Sequence, residues 1–164
     1  MPIAQLPSAF PSREGAPVLR AVDTAVFHRR YFAECMRCDF CLDACCTHGV
    51  DVEEPRVAAI MAAADELEPL VGVPRWRWFE PAESDAEFPG GLFRRTAVVD
   101  GACVFRARGA RGCTLHAWSL AAGRDYHAVK PLVSTLFPLS FSGGVLCLAD
   151  ELDEPEPFVC AGCP

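Results

Sequence analysis

Cys35-Met-Arg-Cys38-Asp-Phe-Cys41-Leu-Asp-Ala-Cys45-Cys46 is the stretch on which the reading of this chain turns. Half of the ten cysteines fall within it; the others are Cys103, Cys113, Cys147, Cys160 and Cys163. Thiolates spaced C-x2-C can converge on one ion from a tight turn. A cysteine-ligated metal site is therefore the expectation, with the rest of the chain arranged around it. Buried thiols or disulfides are the competing explanation. Disulfides persist in oxidising compartments, and Met1-Pro-Ile-Ala-Gln-Leu-Pro7 lacks the basic start and apolar run of a signal peptide. The expectation is a cytoplasmic protein with reduced thiols, where cysteine clusters bind metal or do redox work.

The spacing admits more than one metal. Zinc takes four nitrogen or sulfur donors in a closed tetrahedron. Cys35, Cys38, Cys41 and Cys45 also reproduce the C-x2-C-x2-C-x3-C run of bacterial ferredoxins, which holds iron in a 4Fe–4S cluster. Two features depart from a ferredoxin: position 46 is cysteine where that motif has proline, and there is no second complete motif. Cys160-Ala-Gly-Cys163-Pro164 is a partial echo able to supply remote ligands. Adjacent Cys45 and Cys46 point in different directions, so they are expected to serve different roles. Ten thiols suffice for two four-ligand sites, and a single site is the reading carried forward.

Outward from the cluster, the chain reads as helices and hairpins in blocks without βαβ alternation. That pattern predicts a small single-domain α+β fold. Residues 1–17, with four prolines, read as an extended arm, and 18–164 as one cysteine-cluster domain. Residues 53–71 carry Val57, Ile60, Met61, Ala64, Leu67 and Val71 at helical spacing, with Pro55 in the first turn and Gly72 and Pro74 as the stop. Trp76, Trp78 and Phe79 alternate with arginines; half-buried packing is preferred to stacking on nucleotides. Asp100-Gly101 predicts a hairpin between 94–99 and 102–106. Thr114–Ala122 reads as a short helix closed by Gly123, and 125–130 as one further turn. Ser142-Gly143-Gly144 predicts a second hairpin between 136–141 and 145–148.

Charge narrows the partners. The net charge of −7 disfavours a nucleic-acid binder driven by phosphate contacts. Nine of the 22 acids lie in two runs, Glu80–Glu87 and Asp150–Glu156, leaving the rest near balance with the 15 bases. Two solvated loops are expected there, the alternative being a docking strip for a basic protein partner. Pro131–Ala149 has 19 uncharged residues, but its prolines and Gly143-Gly144 argue against a membrane span. Of the four histidines, His116 stands three residues after Cys113, on the same helical face, and is the strongest histidine candidate for a shared site. His28, His48 and His127 are weaker ones. No phosphate loop, dinucleotide fingerprint or Ser/His/Asp arrangement is found, so no catalytic residue is assigned.

Cys38, Cys41, Cys45 and Cys46, followed by Cys103-Val-Phe, Gly112-Cys113-Thr-Leu-His116, Lys130-Pro131 and Phe137-Pro-Leu139, resemble the zinc- or iron-chelating domain family of the YkgJ type. Its signature is CxxCxxCC, and this chain carries one extra residue before the doublet. Flagellin lysine N-methylases look similar, with a related cluster associated with iron–sulfur binding. The resemblance covers roughly residues 35–148 and implies metal binding through Cys38, Cys41, Cys45, Cys46, Cys103 and Cys113. Where the family has a cysteine three residues after the Lys-Pro proline, this chain has Ser134, a poor ligand. Cys147, on the second hairpin, is the candidate substitute.

The expected function is a metal-binding protein holding zinc or iron, including iron in a 4Fe–4S cluster, through Cys35, Cys38, Cys41, Cys45, Cys46, Cys103, Cys113, Cys147, Cys160 and Cys163. Two alternatives stand beside it. One is an iron–sulfur redox or accessory protein of a protein-modifying enzyme such as a lysine methyltransferase. The other is a thiol-based metal-delivery module.

Overall fold

In the computed structural model, residues 2–28, 35–37, 43 and 46–149 are described. Their strands are β1 (Ile3–Pro11), β2 (Val18–Asp23), β3 (Asp51–Glu53), β4 (Phe79–Ser84), β5 (Leu92–Thr96), β6 (Val98–Val99), β7 (Ala102–Cys103), β8 (Leu139–Ser142) and β9 (Val145–Leu148). The helices are α1 (Glu54–Ala62), α2 (Ala64–Val71), α3 (Thr114–Ala121) and α4 (Leu132–Leu136). Helices and strands come in blocks along the chain, the strand pairs are antiparallel except β2–β9, and the fold is a small single-domain α+β one.

The segment read as an arm is extended over residues 3–11, where proline excludes a continuous helix. Residues 3–11 do more than extend, since β1 pairs antiparallel with β2 and forms the edge of a four-stranded sheet ordered β1-β2-β9-β8. An edge is where strand prolines are tolerated, because one row of N–H groups faces no neighbour. Gly143 and Gly144, at φ 59° and 73°, make the predicted tight turn between β8 and β9. The Glu87 carboxylate closes that turn, accepting the N–H groups of Gly143 (3.0 Å) and Gly144 (2.9 Å). The uncharged stretch 131–149 is thus α4 and this hairpin, and among the described residues no helix is long and apolar enough to cross a membrane.

The apolar stripe of 53–71 does face the core. Val57, Ile60, Ala64, Leu67 and Val71 are buried, whereas Met61 lies outside them. One helix was the expectation, and two are found. The backbone leaves the helical region at Ala63 (φ −96°, ψ 9°), and Pro69 withholds an N–H from the second turn of α2. Gly72 ends α2 in the left-handed region (φ 68°), its N–H bonded to the Glu68 carbonyl.

Against this stripe packs Trp78. It is fully buried, donates Nε1–H to the Val73 carbonyl (2.8 Å) and meets the Phe105 ring edge-on at 5.3 Å. Trp76 is 78% exposed, so the aromatic alternation has one inward and one outward tryptophan. The acidic run 80–87 is a correction. It is not simply a loop, because residues through Ser84 form β4, the exposed edge of a sheet ordered β3-β5-β4. Both faces of that edge meet water, which hides the strand from any alternating pattern.

Glu53 was unremarked in the sequence, yet it is almost fully buried. Its carboxylate accepts the Leu132 N–H at 3.2 Å from both oxygens and lies 3.5 Å from Arg56 Nε, fastening β3 to the first residue of α4. Burial pushes its pKa above the ordinary 4.5, against the pull of the hydrogen bonds and Arg56. Between those two values the folded chain binds more protons than the unfolded one. Glu53's contribution therefore makes the fold less stable as pH rises through that window. Glu53→Gln is expected to remove this slope, checked by denaturant unfolding of both chains from pH 4.5 to neutrality. Parallel slopes would rule Glu53 out as the source.

Candidate metal centre

Asp100 and Gly101, at φ 54° and 75°, form the two-residue turn that the Asp-Gly pair predicts. The turn sets the register of β6 and β7, with Val98 opposite Cys103. Beyond Cys103 the chain folds back on itself. The Arg106 N–H bonds the Cys103 carbonyl (2.8 Å), Ala107 N–H the Gly112 carbonyl (2.8 Å) and Thr114 N–H the Phe105 carbonyl (2.7 Å), while Arg106 bridges Cys113. Cys103 and Cys113 are thereby held on the stem of one closed loop, against the same hydrophobic core.

Both thiols are half-buried against the core. Thr96 Oγ1 accepts the Val50 N–H (2.9 Å) and lies 3.3 Å from Cys103 Sγ, with its own hydrogen free to point at the sulfur. Burial raises the Cys103 pKa, opposed chiefly by that hydroxyl. Cys113 stands at the N-cap of α3 with extended backbone (φ −105°, ψ 129°). Burial pushes its thiol up to about 11; the backbone N–H groups of His116 and Leu115 and the Lys130 ammonium act the other way. A charge on Cys103 would raise Cys113 further, so the two thiols are in electrostatic reach of each other. Free of metal, both are protonated at neutral pH; a metal ion would have to displace those protons.

Two described residues of the cysteine-rich stretch, Met36 and Asp43, are seated on Gly112, next to Cys113 in the chain. Asp43, in the three-residue spacer between Cys41 and Cys45, is 5% exposed and takes a positive φ of 60°. Its Oδ1 accepts the Gly112 N–H (3.2 Å) and Arg111 Nε–H (3.2 Å), and the Arg106 guanidinium is 3.9 Å from Oδ2. Its carbonyl accepts the Cys46 N–H (2.8 Å). On the other side, Met36 lies against Gly112, whose φ of 83° suits glycine; an added Cβ would overlap the Met36 sulfur. Met36 and Asp43 bracket Cys38 and Cys41 in sequence, and both dock on the residue preceding Cys113.

Within α3, His116 is buried and stacked on Tyr126, with ring centroids 3.9 Å apart. Its Nδ1 is 3.5 Å from Lys130 Nζ. Burial holds the imidazole pKa below the ordinary histidine value, and the neighbouring Lys130 and His127 add to this.

Of the sequence candidates, Cys103 and Cys113 are brought together. Cys35 and Cys46 are half-buried at the ends of the cluster segment, and Cys147 lies on β9 opposite Ser140. Cys38, Cys41, Cys45, Cys160 and Cys163 lie outside the described residues, as does the acidic run 150–156. Among the described residues, no three His, Cys, Asp or Glu side chains gather into one group able to hold a metal. His127 instead pairs with Asp125 (2.6 Å), and the His48 carbonyl accepts from Arg95. Asp43 and Thr96 were missed by the sequence reading, and Gly112 was noted there only as part of the Gly-Cys-Thr motif; no sequence signal marks Asp43 or Thr96. No family model, curated protein or solved structure matches the chain.

Proposed function

We propose that this chain is a metal-binding protein of the zinc- or iron-chelating cysteine-cluster type, in line with the sequence resemblance to the YkgJ-type family. One observation carries the reading. Asp43 and Met36, from within the cysteine-rich segment, both seat on Gly112, beside the half-buried thiols Cys113 and Cys103. Two soft donors of the body, Cys103 and Cys113, are thus close to Met36 and Asp43, which in sequence flank Cys38 and Cys41 and precede Cys45 and Cys46; Cys35 belongs to the same donor set. Thiolate donors of this kind suit zinc or iron–sulfur centres. Cys147, Cys160 and Cys163 complete the candidate set. The bound metal would supply cross-linking of the segment to the body if zinc, and electron transfer if a 4Fe–4S cluster. Reduced thiols, as in the cytoplasm, belong to the same reading.

The test is anaerobic purification of the full chain, with assays for zinc, iron and acid-labile sulfide and a visible spectrum. Zinc in a colourless sample supports a structural or delivery role. Iron with matching sulfide and a brown colour supports the iron–sulfur reading. A chain holding neither metal overturns the proposal.

A further inference from the structure

In a chain whose net charge is −7, the segment 101–124 carries four arginines and no acid. Three of them, Arg106, Arg108 and Arg111, line an open cleft of about 690 Å³ that reaches from Asp100 to the loop closed by the Arg106–Cys113 bridge. A cleft of that volume takes a small organic molecule. Asp100 is the one acid among the lining residues, and it stands 3.8 Å from the Arg108 guanidinium. The Arg106 guanidinium is 3.9 Å from Asp43. Both separations exceed hydrogen-bond length, and neither guanidinium makes a hydrogen bond among the described residues. Asp43 is buried and already committed, its Oδ1 accepting from Gly112 N–H and Arg111 Nε–H. The backbone N–H groups of Arg108 and Gly109 likewise donate to none of the described residues. The loop that carries these donors is fixed at its stem by the Ala107 N–H bond to the Gly112 carbonyl (2.8 Å), so the donors are held in place before any ligand arrives.

We propose that this cleft binds a small dianion, a phosphoryl group or a pair of carboxylates on an organic body, through the guanidiniums of Arg106 and Arg108 and the N–H groups of Arg108 and Gly109. A planar guanidinium presents paired N–H donors that match two oxygens of either group. Arg111 stays on Asp43 and adds positive charge from there. Val99 and Val104 line the same cleft and offer an apolar wall to the body of the ligand. The acidic balance of the whole chain opposes a diffuse attraction of anions, so binding has to come from the local excess of arginine. The site goes beyond the metal-binding reading and stands without it, because arginine holds its charge with no metal and no change of protonation.

The experiment titrates the full chain calorimetrically, in low-salt buffer free of other polyvalent anions, with adenosine monophosphate, inorganic phosphate and succinate. Saturable one-to-one binding is expected. Binding of the two phosphate probes supports the proposal with a phosphoryl group as the ligand, and binding of succinate supports it with a dicarboxylate. A chain that binds none of the three overturns it. Arg106→Gln and Arg108→Gln are each expected to weaken binding by about tenfold or more, the loss of a hydrogen bond to a charged group. Arg108→Lys, which keeps the charge but not the paired donors, is expected to recover only part of the loss. Arg124→Gln removes the same charge from the Glu66 ion pair, outside the cleft, and is expected to leave binding unchanged. Cleft variants that bind as tightly as the parent overturn the proposal, and so does an equal loss in Arg124→Gln, which would mark a diffuse attraction. Circular dichroism confirms the fold of each variant. Neither Arg106 nor Arg108 holds a side-chain hydrogen bond among the described residues, and should one variant misfold the other decides.

Discussion

Cys113→Ser is expected to lose most of its bound metal while keeping its folded body. Serine is a favoured N-cap residue, and position 113 is the N-cap of α3. The substitution therefore leaves the helix start intact or improves it. What it removes is a soft donor that deprotonates on binding, since a hydroxyl does not ionise near neutral pH. In small zinc domains metal binding is worth about 10–16 kcal/mol and drives folding outright; here the body has its own buried apolar core and is expected to outlast the metal. Losing one donor in four is expected to lower metal content by at least about tenfold under chelator challenge, a change of about 1.4 kcal/mol or more. Metal analysis and thermal unfolding, with and without chelator, read the two effects separately. The same loss is expected of Cys41→Ser and Cys45→Ser. Full metal content in Cys113→Ser would remove this thiol from the centre.

Trp78→Ala is expected to be the most damaging core change. Trp78 is fully buried at the meeting point of the α1–α2 stripe and Phe105. Truncation of a buried tryptophan costs about 3–5 kcal/mol through lost transfer energy and the cavity left behind. It also strands the Val73 carbonyl, which accepts the indole N–H. For a chain of this size the melting temperature should fall by about 10 °C. Trp76→Ala is the matched control. At 78% exposure it should change stability by no more than about 0.5 kcal/mol. Similar losses at both positions would show that burial does not set the difference.

Local signals were the legible ones. Asp100-Gly101 and Gly143-Gly144 announce their hairpins because both turns require positive φ, which few residues adopt cheaply. The apolar stripe over 53–71 announces its buried face for the same local reason. It is silent about the break at Ala63, because a kinked pair and a straight helix share one periodicity. β4 is hidden by Glu80 and Glu83, which suit an edge strand as well as a loop. At the candidate centre, Cys103 and Cys113 were legible by residue type and family-like motif. Asp43 was not. Its function depends on Gly112, 69 positions away, and a single aspartate in a spacer carries no mark of that partner. Lys130 entered only as half of a Lys-Pro pair. Its burial is a product of tertiary packing.

The parallel pairing of β2 with β9, Ala21 beside Val145 and Val22 beside Leu146, has a kinetic consequence. It joins segments separated by about 120 residues, whose direct closure in an unfolded chain carries the full loop entropy. The principal core cluster runs from Val52 to Val129, wholly inside that loop. Once the cluster condenses it draws the two segments together, so the four-stranded sheet is the natural last element to zip and the first to open. The centre of the chain then acts as a chaperone in cis for its flanks, and slow amide exchange should be sought between Val52 and Val129 rather than along β2 and β9.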